Sequence, residues 1–196
     1  MATEARAFEY AMGLFAVVIG LAVTDIATSF HRLIRAKHYV RWDPLALAAA
    51  FYTLCMAVYM WFDIWGVRNF AITRQFFFYL GLVIELFILF LASAASLPDE
   101  AEEAIDLRVY YADNRRHFWL LITLFQAGYA GFGFYFVLIE PADYPLSVLI
   151  FLRALMCAPT LISLVLMLNG SRWVHYIGVG LLFIIMVLHY GPAQIN

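Results

Sequence analysis

QFFFYLGLVIELFILFLASAASL, residues 75–97, carries one charged side chain, Glu85, in an otherwise apolar run. A helix of roughly 20 predominantly apolar residues crosses the hydrocarbon core of a bilayer, so this segment reads as a membrane span. Five further stretches have the same character: residues 10–30, 44–63, 118–139, 145–168 and 173–190. Pro44–Phe62 and Phe118–Ile139 hold no charge, and the fifth span is interrupted only by Arg153. No alternation of about 10-residue segments suggests a β-barrel. The expectation is an all-α polytopic bundle of six transmembrane helices, residues 1–196 forming a single transmembrane domain.

Composition supports this reading. Of 196 residues, 65% are hydrophobic and 13% charged, against about 45–50% and about 25% in soluble domains. A soluble globule of this size has no means of covering that much apolar surface. A net charge of −2 gives no basic face for a nucleic-acid partner; the expected partner is the lipid bilayer. The segment before the first span contains Glu4, Arg6 and Glu9 and lacks the basic start of a cleaved leader.

Orientation follows from Lys and Arg. Arg32, Arg35, Lys37, Arg41, Arg108, Arg115, Arg116 and Arg172 fall in loops on one side, and Arg6, Arg68 and Arg74 on the other. This bias places the odd-numbered loops in the cytoplasm and both termini outside, with the inner membrane as the expected location. Trp42, Trp119 and Trp173 then mark the cytoplasmic interface, and Trp61, Trp65, Tyr144 and Tyr190 the outer one. Residues 98–117 open with Pro98, Asp99, Glu100, Glu102 and Glu103 and close on Arg115 and Arg116. Acids at a helix start and bases at its end complement the helix dipole, so one short cytoplasmic helix is expected over 98–117, as a connector or a partner-docking surface.

Charges inside spans are expensive and point to function. Glu85 lies about 15 Å along span three at 1.5 Å per residue, on a face with Gly81, Ala92 and Ser93. Arg153 lies about 12 Å into span five by the same rise, on a polar stripe continued by Cys157, Thr160 and Ser163. The pair reads either as an ion- or proton-binding carboxylate with its counter-charge, or as a buried ion pair fixing the packing. Asp25 in span one precedes Thr28, Ser29 and Arg32, and either lines an inner vestibule or pairs with Arg32 or Arg35. Asp63 closes span two on the stripe Tyr52, Met56, Tyr59. Gln126 is a further polar lining candidate in span four.

Five histidines raise a cofactor reading, for which His31, His117 and His175 share a similar depth; nothing in their spacing demands a metal, and neither metal nor cofactor is expected. Cys55 and Cys157 lie inside spans with no CxxC pattern. Lys37 is the only lysine and sits in a loop, which excludes a retinal Schiff base. Phosphate loops, zinc pairs and nucleophile elbows are absent, so an enzyme is not expected. Small residues, Ala16, Gly20 and Thr24 in span one and Gly128, Gly131 and Gly133 in span four, let helices approach closely; they suit intramolecular seams or a homo-oligomer face. Asp43-Pro44-Leu45 and Tyr144-Pro145-Leu146, with Cys55-Met56 and Met156-Cys157, suggest a three-plus-three duplication of the kind transporters use.

Two resemblances follow from the motifs. Phe8, Ile19-Gly20-Leu21, Asp25 and Ser29-Phe30-His31-Arg32, with Asp106-Leu107-Arg108, Tyr110-Tyr111 and Asn114-Arg115-Arg116, resemble a group of uncharacterised bacterial multi-pass membrane proteins; the resemblance covers most of the chain, implies six spans and points to no particular function. The first span is also similar to potassium channels with a pore-lining Phe-Ser-Asp motif. Here the corresponding residues are Phe8-Glu9-Tyr10, lacking the Ser and the Asp, so no site is carried over. Three functions stay open: a small transporter or channel-like protein for protons, ions or a small solute; a non-transporting scaffold docking a membrane-complex partner through residues 98–117; and an intramembrane redox or cofactor protein.

Overall fold

The computed structural model describes residues 2–36, 39–66, 76–99, 104–139 and 145–190. Six helices are present there: α1 (Ala2–Arg35), α2 (Pro44–Gly66), α3 (Phe76–Ala94), α4 (Leu107–Ile139), α5 (Leu146–Leu168) and α6 (Arg172–Tyr190). Two short strands, β1 (Val40–Arg41) and β2 (Ile105–Asp106), complete the described elements. Lys37, Arg68, Arg74, Glu100, Glu102, Glu103, Tyr144 and the Glu140–Asp143 connection lie outside the described residues.

Five helices are long and apolar enough to cross a membrane: Met12–Arg35, Pro44–Gly66, Phe76–Ala94, Leu107–Tyr135 and Arg172–His189. In α5 the described apolar stretch is the shorter Arg153–Leu168. Among the described residues the chain thus has the lengths and apolarity of a membrane helical bundle, with five such helices rather than the six expected.

Helix starts are set by side chains that satisfy the free N–H groups of a first turn. Asp43 precedes Pro44, a residue suited to a first helical position because its missing N–H is not needed there. Its Oδ2 accepts from the Ala46 N–H at 3.3 Å. Asp106 starts α4 in the same way, with Oδ1 accepting from the Arg108 N–H at 2.8 Å and the Val109 N–H at 3.3 Å. Of the helix expected over 98–117, leading into span four, Pro98 and Asp99 are not helical and residues 107–117 are. Residues 107–117 are the first turns of a helix that continues unbroken to Ile139, so Arg115 and Arg116 fall within a helix instead of ending one. Ile105 and Asp106 pair in parallel with Val40 and Arg41. This strand pairing stands immediately before the first turn of α4.

The chain divides into two compact units, one ending at Tyr111 and the other beginning at Ala112. In the first, α1 packs on α2 and α3, and α2 packs on α3. Phe15 meets Tyr79 with ring centroids 6.2 Å apart, and further along Ser29 meets Asp99, so α1 and α3 run parallel. Buried Phe15, Ile19, Ala22, Ile26 and Leu33 recur at the three- and four-residue spacing of one helix face. In α3 the matching stripe is Phe78, Leu82, Leu86 and Leu89.

The second unit is organised by the α5–α6 hairpin. Asn169 ends α5 by donating its N–H to the Val165 carbonyl at 2.9 Å, and its Oδ1 accepts from the Ser171 N–H at 2.8 Å. Gly178 of α6 sits against Leu166 of α5, and Gly133 of α4 against Met156 of α5. These are close helix approaches of the kind small residues permit. Gly20 and Gly131 differ: a side chain added at either would meet nothing within 4 Å among the described residues. The seam expected through Gly20 is an outward face.

Candidate functional site

Glu85 is 3% exposed and stands midway along α3 on its buried stripe, one position before Leu86 and three after Leu82. Every other side chain from Phe76 to Ala94 is uncharged. Burying a carboxyl in such surroundings is costly unless it is neutralised or held by polar contacts. Two turns on from Glu85 the same stripe turns polar. Ser93 is buried and donates to the Leu89 carbonyl at 3.0 Å, and Ser96 donates to the Ser93 carbonyl at 2.7 Å.

At the end of this unit reached by the C-terminus of α3, four side chains meet. Ser29 is buried and its hydroxyl donates to Asp99 Oδ1 at 3.1 Å. Arg32 donates through Nη1 to the Asp99 backbone carbonyl. Asp25, one turn before Ser29 on α1, lies within electrostatic range of both Asp99 and Arg32. Its Oδ2 is buried and accepts no hydrogen bond among the described residues. Of the two readings of Asp25, neither a hydrogen bond nor an ion pair to Arg32 or Arg35 is formed among the described residues.

The strand pair closes the same end. Ile105 donates its N–H to the Tyr39 carbonyl at 2.8 Å, and Arg41 Nη1 pairs with Asp106 Oδ2 at 3.2 Å. Desolvation acts to raise the pKa of Asp106, but the Val109 and Arg108 N–H groups and the Arg41 guanidinium outweigh it and hold the carboxyl below its ordinary value.

The other candidates are placed as follows. Asp63 is half-buried and accepts from the Tyr59 hydroxyl at 2.8 Å, one helical turn away. Arg153 belongs to the second unit, where its guanidinium carbon lies 4.8 Å from the centre of the Phe134 ring, a cation–π arrangement. Glu85 and Arg153 thus lie in different units. Cys157 is a half-buried free thiol. Thr160 has a buried hydroxyl without a hydrogen-bond partner among the described residues. Ser163 donates to the carbonyls of Pro159, at 2.8 Å, and Thr160, at 3.1 Å. Gln126 is buried.

His31 and His117 are exposed. His175 is buried, with Nε2 2.8 Å from the Asn169 carbonyl and its ring 6.2 Å from that of Trp119. Among the described residues, no three or more His, Cys, Asp or Glu side chains are grouped to hold a metal ion. Trp119 was expected in an interfacial belt. It is fully buried instead, its ring beside Phe118 at 5.0 Å as well as His175; Trp42, Trp61, Trp65 and Trp173 are exposed.

The sequence reading passed over two features. Pro159 lies inside α5, where its ring removes a helical N–H, and the signal was the residue itself in an apolar run. The Asp99–Ser29–Arg32 contact joins positions 70 and 67 residues apart, which no local pattern reveals. Comparison with protein-family models, with curated proteins and with solved structures gave no match for this chain.

Proposed function

We propose that this chain is a small six-span inner-membrane transporter or channel-like protein, not an enzyme, with both termini outside. In this reading it moves protons, cations or a small solute through exchange at Glu85, and α5 supplies the sixth span. The observation that carries this is the burial of Glu85 at 3% exposure midway along a 19-residue helix that is otherwise uncharged.

An acidic side chain at the centre of a membrane helix costs about 2.5–3.5 kcal/mol on insertion scales, and such residues mark ion and proton pathways. A leucine at that position would pack without this cost. Retaining the carboxyl is therefore best explained by what it binds. The scaffold reading docks a partner through residues 98–117, of which 107–117 form the first turns of α4. The cofactor reading has its one buried histidine, His175, held against the Asn169 carbonyl.

The test is Glu85→Gln in purified protein reconstituted into vesicles. The variant is expected to keep its helical content and its elution in detergent while proton- or ion-coupled flux falls to the level of empty vesicles. Flux equal to that of the unaltered protein would overturn the reading.

A further inference from the structure

We propose that the turn between α5 and α6 holds the phosphate of an anionic membrane lipid, gripped by Arg115 of α4 and Arg172 of α6. The site lies within the second unit and is independent of the role given to Glu85.

Arg115 and Trp119 stand one turn apart on α4, on the side where Trp119 meets His175. The Arg115 guanidinium lies across Gly170. A side-chain carbon added there would stand 3.0 Å from Nη1 and 3.3 Å from Cζ and Nη2, so a residue without a side chain lets the turn come this close. Arg115 Nε is buried and has no hydrogen-bond partner among the described residues. The unit offers it no acid either. From Ala112 to Tyr190 the carboxylates are Asp113, Glu140 and Asp143. Asp113 is exposed, and at two positions from Arg115 it points to a different face of the helix. From Arg115, α4 runs about 36 Å to its last residue, Ile139, before Glu140 and Asp143 enter the sequence.

A second cation stands nearby. Arg172 opens α6 and, like Arg115, acts electrostatically on the buried His175. Its Nη2 donates to the Tyr176 hydroxyl at 3.2 Å, which holds the guanidinium along the first turn. The Trp173 and Val174 N–H groups have no acceptor within α6, as at any helix start, and they add partial positive charge. A guanidinium drawn partly out of water beside a like charge is unfavourable until an anion joins it. Phosphate suits the place, because each planar guanidinium presents paired N–H groups to two of its oxygens.

The turn joins two apolar helices and so stands at the level of lipid headgroups. Directly beside it Leu168, Trp173 and Ile177 are 67%, 77% and 62% exposed, and Leu181 and Ile184 continue that outward face of α6. A phosphate seated at Arg115 carries its acyl chains down this face, a contact that free phosphate lacks. Basic pockets between membrane helices take anionic headgroups in this manner.

The experiment uses the full chain in a mild detergent, titrated with phosphatidylglycerol or with phosphatidylcholine and followed by native mass spectrometry and thermal unfolding. The unaltered protein is expected to retain a phosphatidylglycerol under conditions that strip phosphatidylcholine, and to unfold at a higher temperature with phosphatidylglycerol, as a ligand of the folded state requires. Arg115→Gln is expected to weaken retention by about tenfold or more, the loss of a charge-assisted contact, and to remove most of the thermal shift. Arg172→Gln is expected to weaken it in the same direction. Arg116→Gln, the same charge change on an exposed side chain, is expected to keep both signals. Equal retention of the two lipids, or equal weakening by Arg116→Gln, would overturn the site. If Arg115→Gln does not accumulate, Arg172→Gln decides, and full retention of phosphatidylglycerol in that variant overturns the proposal. Displacement of phosphatidylglycerol by inorganic phosphate at constant ionic strength would make free phosphate the ligand and overturn the lipid; retention in its presence supports the lipid.

Discussion

Asp106 accepts two backbone N–H groups at the start of α4 and pairs with Arg41 across the strand pair, so one carboxylate ties a helix start to a distant loop. Its pKa lies below the ordinary 3.8, which means the folded protein binds that proton more weakly than the unfolded chain does. The stabilisation is therefore present in full above about pH 3.8 and is lost as pH falls through the lower folded value. Asp106→Asn, which can still cap the helix, is expected to unfold at lower temperature than the unaltered protein at neutral pH, with the difference closing in acid. Thermal unfolding followed by circular dichroism at several pH values checks this. Glu85 and Asp25 were legible in the sequence because a carboxyl inside an apolar run is conspicuous at any depth. The role of Asp106 was not, because its partner Arg41 lies 65 residues away and β1 has only two residues.

At the scale of helices, the close approach of α5 and α6 turns on Gly178. A Cβ there would stand 2.6 Å from Leu166 Cδ2, and Leu166 is fully buried with little room to withdraw. Gly178→Ala is expected to cost about 1–3 kcal/mol, the usual range for overpacking, measured by denaturant unfolding in detergent micelles. Gly20→Ala is expected to be neutral or stabilising by up to about 1 kcal/mol in the same assay, since alanine favours the helix and nothing stands within 4 Å of it. Small residues thus signalled close packing at Gly133 and at Gly20 alike, although Gly20 faces outward, and the close approach at Gly178 was not read from the sequence. Composition identifies which positions can form a seam; the neighbouring helix determines which do. The run of acids after Pro98 likewise suggested a helix start, yet α4 begins at Leu107, where Asp106 provides the cap and β1 provides the pairing.

Across the whole molecule, the division near residue 111 separates α1–α3 from the bulk of α4 to α6, close to the halves that a three-plus-three duplication would create. Internal packing differs between them: α1 is central to the first unit, while the α5–α6 hairpin organises the second. The arginine and lysine bias predicts that both termini face outside. Single cysteines at positions 2 and 195, in a chain lacking Cys55 and Cys157, are expected to react with a membrane-impermeant thiol reagent added to intact cells; reaction only after the inner face is exposed would invert the topology. The sequence by itself determined the helical character and the positions of the apolar segments, because a backbone in hydrocarbon must satisfy its own hydrogen bonds and 65% apolar residues leave few other solutions. It did not determine which face of each helix is buried. In α3, Phe78, Leu82, Leu86 and Leu89 are buried while Phe76, Phe77, Ile84 and Phe87 are exposed, residues of the same chemistry on opposite faces. When both the core and the surroundings are apolar, no polarity difference marks the inner side. Only the packing of α1, α2 and α3 placed Glu85 inward, and only the contact between Ser29 and Asp99 brought the end of α3 to Asp25.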